Sequence, residues 1–267
     1  MTVLYHIPSR LERKIVRFIT ILLLLRDFYG IMSPYQTEKG DPLMKMMKRL
    51  SALLVVAMLA VCLSACGSSF ADDVTLLVQG NLDELYLCKF DQEYMELVNT
   101  TEEDCMDNYL GGLEMEAEVF AYYFNITNPT DEINEQIIEL YKQIYSHSKF
   151  TVNPASELDE NTYAVKVQVS PIDIFQRVVD AEAAGALDDF YGKYTEAQVN
   201  AMSDAEYAAY DAEWANRIIQ LCYQELENVD YMEEQSLAIQ VSKDSDGFWS
   251  ITDNDLAAID ELIIYYP

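Results

Sequence analysis

The sequence predicts an α+β fold, with helices packed on one face of a small, mostly antiparallel sheet. Helical periodicity dominates residues 72–145, and an alternation of apolar and polar residues replaces it at Tyr163–Val169. Near the C-terminus, Asp244–Gly247 is typical of a hairpin turn, because Asp-Gly tolerates the left-handed backbone of such turns. No strand–helix–strand order repeats along the chain, which disfavours a doubly wound parallel sheet.

Helices are predicted where apolar residues recur every three or four positions behind polar or acidic residues. Asp72 and Asp73 can cap the first helix, and the pair Asn128-Pro129 breaks the chain before the fourth. In the third helix, Glu116 falls close to the face that carries Leu113 and Phe120. The predicted helices of this half span 72–89, 90–99, 101–124 and 131–145.

Strands appear after residue 149. Phe150–Val152 and Tyr163–Val169 are predicted strands separated by a polar turn, and Pro171 ends the second. Tyr231–Ser242 and Phe248–Ile251 are predicted to pair across the hairpin turn. The other predicted helices span 172–191, 203–228 and a last segment to about 264, capped by Asp253 or Asn254.

A secretory leader that ends at a cysteine precedes this domain. Lys45, Lys48 and Arg49 come before an uncharged apolar run at 50–62, and small residues then lead to Cys66. A positive start, a short apolar run and a small-residue exit make a secretory signal. The run is shorter than the ~20 apolar residues of a membrane span. An ordinary signal peptide, or a single-span anchor with an unrelated cysteine, is the alternative.

Leu63-Ser64-Ala65-Cys66 resembles the lipobox of bacterial lipoproteins. The resemblance implies that the signal peptide 44–65 is removed, that the Cys66 sulfur carries a diacylglycerol, and that 66–73 is a lipidated tether. Two acyl chains hold a protein stably on a bilayer, whereas one does not. We therefore expect a cell-membrane protein anchored through Cys66 on the extracytoplasmic face, with a Gram-positive surface favoured.

The combination of the lipobox, the N-terminal helices, YAVKVQVSP at 163–171 and DGFWSI at 246–251 resembles the DUF5105-like lipoprotein domains of Firmicutes. This resemblance spans about residues 74–264. It implies a helical, sheet-containing extracellular domain without a known activity. We accordingly expect residues 74–267 to form a single extracytoplasmic domain.

Residues 1–43 stand in front of the leader, and we expect that they are an upstream extension that is not synthesised. Glu38-Lys39-Gly40-Asp41 can be encoded by GAA-AAA-GGA-GAT, which contains a good bacterial ribosome-binding site at an ordinary spacing from Met44. A genuine N-terminal extension is the alternative. The intact mass of an uncleaved precursor distinguishes the two.

The chain is strongly acidic, with 46 Asp and Glu against 17 Lys and Arg. Nine of the basic and four of the acidic residues precede Cys66, which leaves a formal net charge of −34 on residues 66–267. Nucleic acid is therefore not an expected partner, because phosphate binding needs Lys and Arg. The charge permits a cationic peptide, a small solute or an envelope protein as a partner. The alternative is that the charge only keeps a monomeric protein soluble.

No pattern after Cys66 predicts catalysis or a cofactor. His147 is the only histidine there, and no Gly-x-Ser-x-Gly stretch presents a nucleophile for a triad. Paired acids for glycoside hydrolysis must lie about 5–9 Å apart across a cleft, which the sequence cannot reveal. We therefore predict no catalytic and no cofactor-binding residue.

Metal ligands are not predicted either. Asp244-x-Asp246 and Asp253-x-Asp255 lack the full spacing of an EF-hand calcium loop and fit a turn and a helix cap better. The cysteines lack the spacing of a zinc site. Those that follow the lipobox are Cys88, Cys105 and Cys222.

Cys88 and Cys105 could form a disulfide. They fall near the end of the first helix and in the first turn of the third, ends that antiparallel packing would bring together. An extracytoplasmic location permits oxidation, and the closed loop would contribute about 3 kcal/mol. Two buried thiols are the alternative.

Tyr207, Tyr210 and Trp214 follow an i, i+3, i+7 spacing. Such an aromatic stripe either belongs to the core or lines a groove for a cation.

From the sequence features together we expect a membrane-anchored binding or envelope module without catalysis. An envelope hydrolase with paired acidic residues is the alternative. A sensor or accessory subunit of a membrane complex would instead expose a large apolar patch.

Overall fold

The computed structural model describes residues 70–244 and 247–267, which contain nine helices and one five-stranded sheet. Cys66, the leader 44–65 and residues 1–43 lie outside the described residues. The helices are α1 (Phe70–Leu87), α2 (Gln92–Val98), α3 (Glu102–Tyr123), α4 (Asp131–Tyr145), α5 (Ile174–Ala183), α6 (Asp188–Tyr191), α7 (Glu196–Val199), α8 (Asp204–Leu226) and α9 (Asp253–Ile263). The strands are β1 (Lys149–Val152), β2 (Ser156–Asp159), β3 (Thr162–Ser170), β4 (Gln235–Lys243) and β5 (Trp249–Ile251).

The sheet runs in the order β1-β3-β4-β5, and β2 also pairs with β3. Every strand pairing is antiparallel among the described residues. In the long central ladder, Val165 of β3 lies opposite Ile239 of β4, and Tyr163 lies opposite Val241. β1 and β2 occupy successive halves of the same edge of β3.

Within the described residues, the sheet is buried on one face. Along β3, Tyr163, Val165 and Val167 are buried, whereas Lys166 between them is exposed. Helix α9 packs against β3 and β4, and α3, α4, α5 and α8 pack against one another. This arrangement confirms the predicted α+β class with helices on one side of an antiparallel sheet.

Aromatic rings join the helices to the C-terminal segment. Phe175 of α5 lies 6.0 Å from Phe120 of α3 and 4.8 Å from Tyr266, measured between ring centroids. The backbone of Ile172 donates to the carbonyl of Ile263 and accepts from the amide of Tyr265, at 2.9 Å each. The last residues are therefore part of the core structure.

The structure differs from the sequence prediction at several elements. Strand β4 begins at Gln235 and not at Tyr231, and helix α7 was not predicted. The single helix predicted over 172–191 is divided into α5 and α6, because Gly185 adopts a φ of 94° that favours glycine. The predicted turn at 157–161 contains strand β2. The last helix is capped by Thr252, whose side chain accepts from the amide of Asp255, and not by Asp253 or Asn254.

Candidate functional site

An open groove lies between the α6–α7 segment and the first half of α8. Its volume is about 530 Å³. We call it the aromatic groove. It is lined by Lys193, Tyr194, Gln198, Ala201, Met202, Glu206, Ala209, Tyr210 and Glu213.

Helix caps and one glycine shape this groove. Gly185 turns the chain after α5, so that residues 188–199 fold back over α8. Thr195 and Gln198 form a capping box at the start of α7. Ser203 and Glu206 form a second capping box at the start of α8. The short segment between the two caps is therefore held in a defined conformation.

The aromatic side chains of the groove belong to a larger cluster. The Tyr194 ring meets Tyr210 edge-on at 5.0 Å between centroids, and Phe190 lies 5.4 Å from Tyr210. Trp214 lies 5.2 Å from Phe190, and its Nε1 donates to the carbonyl of Phe124 at 2.7 Å. The tyrosine–tryptophan stripe predicted from the sequence is thus half-buried under residues 190–194, with Tyr210 at the groove.

Two carboxylates in the groove are fixed by hydrogen bonds. Glu206 accepts from the amide and the hydroxyl of Ser203 at 2.9 and 2.7 Å, and these bonds lower the pKa of its carboxyl. Glu213 accepts from the Lys193 ammonium and, at 2.8 Å, from the Tyr194 hydroxyl. The bond from Lys193 is the main cause of a lowered pKa at Glu213. Both groups are therefore anions at neutral pH.

Fixed anions beside aromatic faces are the chemistry that recognises an organic cation. Ring faces attract ammonium and guanidinium groups, and carboxylates supply charge-assisted hydrogen bonds. Lys193 and Glu213 neutralise each other, so the net negative charge of the groove comes from Glu206. No Ser, Thr, Cys or His is among the described residues that line the groove.

A second open groove, of about 510 Å³, lies where α5 ends. Small residues at 181–186 form much of its wall, together with Arg177, Asp180 and Glu225. The Arg177 Nε donates to both Asp173 oxygens, at 2.9 and 2.8 Å. This hydrogen bond raises the pKa of Arg177 further, and the charge of Arg177 is neutralised by Asp173.

Paired acids do occur elsewhere, in what we call the tyrosine–carboxyl cluster, but they do not line either groove. The Tyr145 hydroxyl donates to Glu116 at 2.6 Å, and the Tyr86 hydroxyl donates to Asp260 at 2.9 Å. The cluster consists of Glu116, Asp260, Tyr86, Tyr141, Tyr145 and Tyr266.

Burial changes the acidity of this cluster. Desolvation raises the pKa of Glu116 to about 7, and the nearby charge of Asp260 adds to the rise. Asp260 lies at the rim of the cluster, where part of its side chain is exposed, and its pKa is also raised, mainly by desolvation. The sequence carried one signal for this site, since Glu116 falls close to the inward face of α3.

A buried carboxylate also lies beside one of the cysteines. Glu84 is 2% exposed and accepts from the Tyr94 hydroxyl at 2.8 Å and from the Asn108 amide at 3.0 Å. The Cys105 thiol also donates to it, and burial raises the pKa of that thiol to about 12. Cys88, the other member of the predicted pair, is a half-buried free thiol in this structure.

The other residues singled out in the sequence have structural roles. His147 follows the end of α4, and its carbonyl accepts from the Tyr231 hydroxyl at 2.8 Å. Asp244 accepts from the amide of Phe248, as expected in a hairpin turn. Within the described ranges, no three His, Cys, Asp or Glu side chains come together in a way that could hold a metal ion.

No helix within residues 70–244 and 247–267 has the length and apolar character that a membrane span requires. Cys66, the predicted lipid-attachment residue, lies outside these residues, so its modification stays a prediction.

Comparisons with known proteins give one fold-level likeness. No family model and no curated protein matches the chain, so the resemblance to DUF5105-like domains stays a prediction. The fold is similar to the crystal structure of ycdA from Bacillus subtilis, a protein described as a candidate lipoprotein. The TM-score is 0.50 at 13% identity, over 73% of this chain. The match spans 56% of the ycdA chain, and at this identity it shows the fold alone.

Proposed function

We propose that this chain is a lipid-anchored protein of the extracytoplasmic face, held by Cys66, whose domain binds an organic cation without catalysing a reaction. The aromatic groove carries this proposal. There, the Tyr210 ring lies beside the fixed carboxylates of Glu206 and Glu213. The lipobox supports the anchor, and the likeness to a candidate lipoprotein is consistent with it.

The overall charge supports a cationic ligand. Residues 66–267 carry a net charge of −34, which raises the local concentration of cations around the domain. A cation–π contact contributes about 1 kcal/mol at a partly exposed site. We therefore expect modest affinity, strong dependence on salt, and little selection among ligands that share an ammonium or guanidinium group.

Binding of spermidine tests the proposal. The full chain, purified from membranes and inserted into phosphatidylcholine nanodiscs, would be titrated by calorimetry with spermidine and with neutral triacetylated spermidine. We expect a heat of binding with spermidine and none with triacetylated spermidine. Replacing Tyr210 with alanine should raise Kd about fivefold or more, because the ring face is lost.

Tyr122→Ala is the matched control, because Tyr122 is 87% exposed and lies on α3, outside the groove. This variant should bind spermidine like the parent chain. Equal binding of the acetylated compound, or an unchanged Kd for Tyr210→Ala, would contradict a cation site in the groove.

A further inference from the structure

The outer face of α3 exposes an apolar stripe that no described element covers. Met115 is 63% exposed, Val119 47% and Tyr122 87%. Their i, i+4, i+7 spacing places the three side chains in one row. We call these three residues the α3 stripe. Most exposed apolar residues of a soluble protein stand singly, so a row of three indicates an interaction surface.

Acidic residues border the α3 stripe. Glu114 and Glu118 each precede a stripe residue and are exposed, as are Glu103 and Asp107 near the start of the helix. The whole of α3 has seven acidic residues and no Lys or Arg in 22 residues. An apolar row beside an acidic row is complementary to an amphipathic helix whose apolar face is bordered by Lys or Arg.

We propose that the α3 stripe docks a basic amphipathic helix of a partner protein. From Met115 to Tyr122 the stripe is about 11 Å long at 1.5 Å per residue, which matches two turns of a partner helix. Methionine is unbranched and polarizable, so Met115 can adapt to different apolar side chains. The row of i, i+4, i+7 anchors is the arrangement by which one helix packs against another.

Charge argues against a second copy of this chain as the occupant. Two α3 helices would place acidic rows against each other, and like charges across an interface cost affinity. The stripe is also distinct from the aromatic groove, which is formed by residues of 193–213. The proposal therefore does not depend on the proposed function.

A designed peptide pair tests this proposal. The first is an 18-residue Leu/Lys peptide with an amphipathic helical arrangement, and the second has the same composition in scrambled order. Each would carry a fluorophore and be titrated with the full chain in phosphatidylcholine nanodiscs, with empty nanodiscs subtracted. We expect the amphipathic peptide to bind at least tenfold more tightly than the scrambled one, and to lose affinity as salt is raised.

Surface variants locate the contact. Met115→Ser with Val119→Ser should raise Kd at least tenfold, whereas Leu158→Ser, at a residue that is 57% exposed on β2, should not. Glu114→Gln with Glu118→Gln should weaken binding and reduce its salt dependence. The matched pair Glu157→Gln with Glu160→Gln, also exposed, should leave binding unchanged. Circular dichroism checks that all variants fold, which is expected at exposed positions.

Several outcomes would overturn the proposal. Equal binding of both peptides would show that binding depends only on the net charge of the peptide. Loss of binding in Tyr210→Ala but not in the Met115 and Val119 variant would move the contact to the groove. Sedimentation that detects a dimer, dissociated by the Met115 and Val119 substitutions in the absence of peptide binding, would identify a second copy as the occupant instead.

Discussion

The hydroxyl of Tyr145 donates a 2.6 Å hydrogen bond to Oε1 of Glu116 and so links α4 to α3 inside the tyrosine–carboxyl cluster. Burial raises the pKa of Glu116 to about 7, so near neutral pH this carboxyl is divided between its protonated and ionised forms. In the folded chain it therefore holds a proton under conditions in which an ordinary glutamate is ionised.

Burial of Glu116 predicts a pH-dependent stability. Glu116 is raised from 4.5 to about 7 on folding, so between these values the folded chain binds more protons than the unfolded chain. Stability therefore falls as pH rises through this window, by about 3 kcal/mol for this group, and is flat above it. Urea unfolding at pH 5 and at pH 8 measures the decline.

The variant Glu116→Gln tests whether the Glu116 carboxyl causes this fall in stability with pH. Glu116→Gln removes the titration and should shrink the difference in unfolding free energy between pH 5 and pH 8 by about 2–3 kcal/mol. Glu118→Gln, at an exposed neighbour on the same helix, should retain the parent's pH dependence. The same pH dependence in the parent and in Glu116→Gln would contradict the raised pKa.

Close packing of α1 against α2 predicts a second effect. A Cβ added at Gly80 would lie 2.2 Å from the ring of Tyr94, so Gly80→Ala should destabilise the fold by about 1–3 kcal/mol. A Cβ at Gly111 in α3 would meet nothing within 4 Å. Gly111→Ala should therefore stabilise the chain by about 0.5–1 kcal/mol, the usual helix preference for alanine. Thermal melts should show a lower Tm for Gly80→Ala and a higher Tm for Gly111→Ala than for the parent chain.

Asp211, a buried residue of α8 that does not line the groove, predicts a large loss of stability when it is replaced. This carboxylate is 2% exposed and accepts from the backbone amides of Thr127 and Asn128 at 2.9–3.1 Å, so it holds the α3–α4 loop against α8. Asp211→Ala should cost about 2–4 kcal/mol, because two backbone amides lose their part-buried bonds to this carboxylate. Asp204→Ala, at an exposed position of the same helix, is the control. A loss in Asp211→Ala no larger than in Asp204→Ala would refute this role.

Thiol labelling tests the three cysteines of the domain. With Cys88 half-buried and the other two buried, Ellman's reagent at pH 8 should react fastest with Cys88 in the native chain. Burial raises the pKa of Cys105 to about 12 and that of Cys222 still further, so both should react only on unfolding. In denaturant without reductant, three reactive thiols would exclude the Cys88–Cys105 disulfide, and a single reactive thiol mapped to Cys222 would establish it.

Local patterns were sufficient for most of the fold. Helix α4 was predicted at its observed bounds, because apolar spacing, a break before it and a polar end all agree. The strand β3 followed from strict alternation. The division between α5 and α6 was missed because apolar periodicity continues across Gly185, whereas the break depends on the φ of that one residue.

The candidate sites depend on contacts that the sequence does not contain. Tyr210 was identified, but its role in a groove depends on residues 193–198 folding back over α8. Glu116 had a sequence signal on its helix face. Its neighbour Asp260 did not, because the Tyr86 that binds Asp260 lies 174 residues away in the chain.

The mass of the membrane-extracted protein shows whether Cys66 carries the lipid anchor. We predict a chain that begins at Cys66 and carries a diacylglyceryl thioether, found in the membrane fraction and accessible from outside the cell. Cys66→Ala should abolish both the lipid mass and the processing. A water-soluble cytosolic chain with its leader intact and Cys66 unmodified, in cells that process other exported proteins, would contradict it.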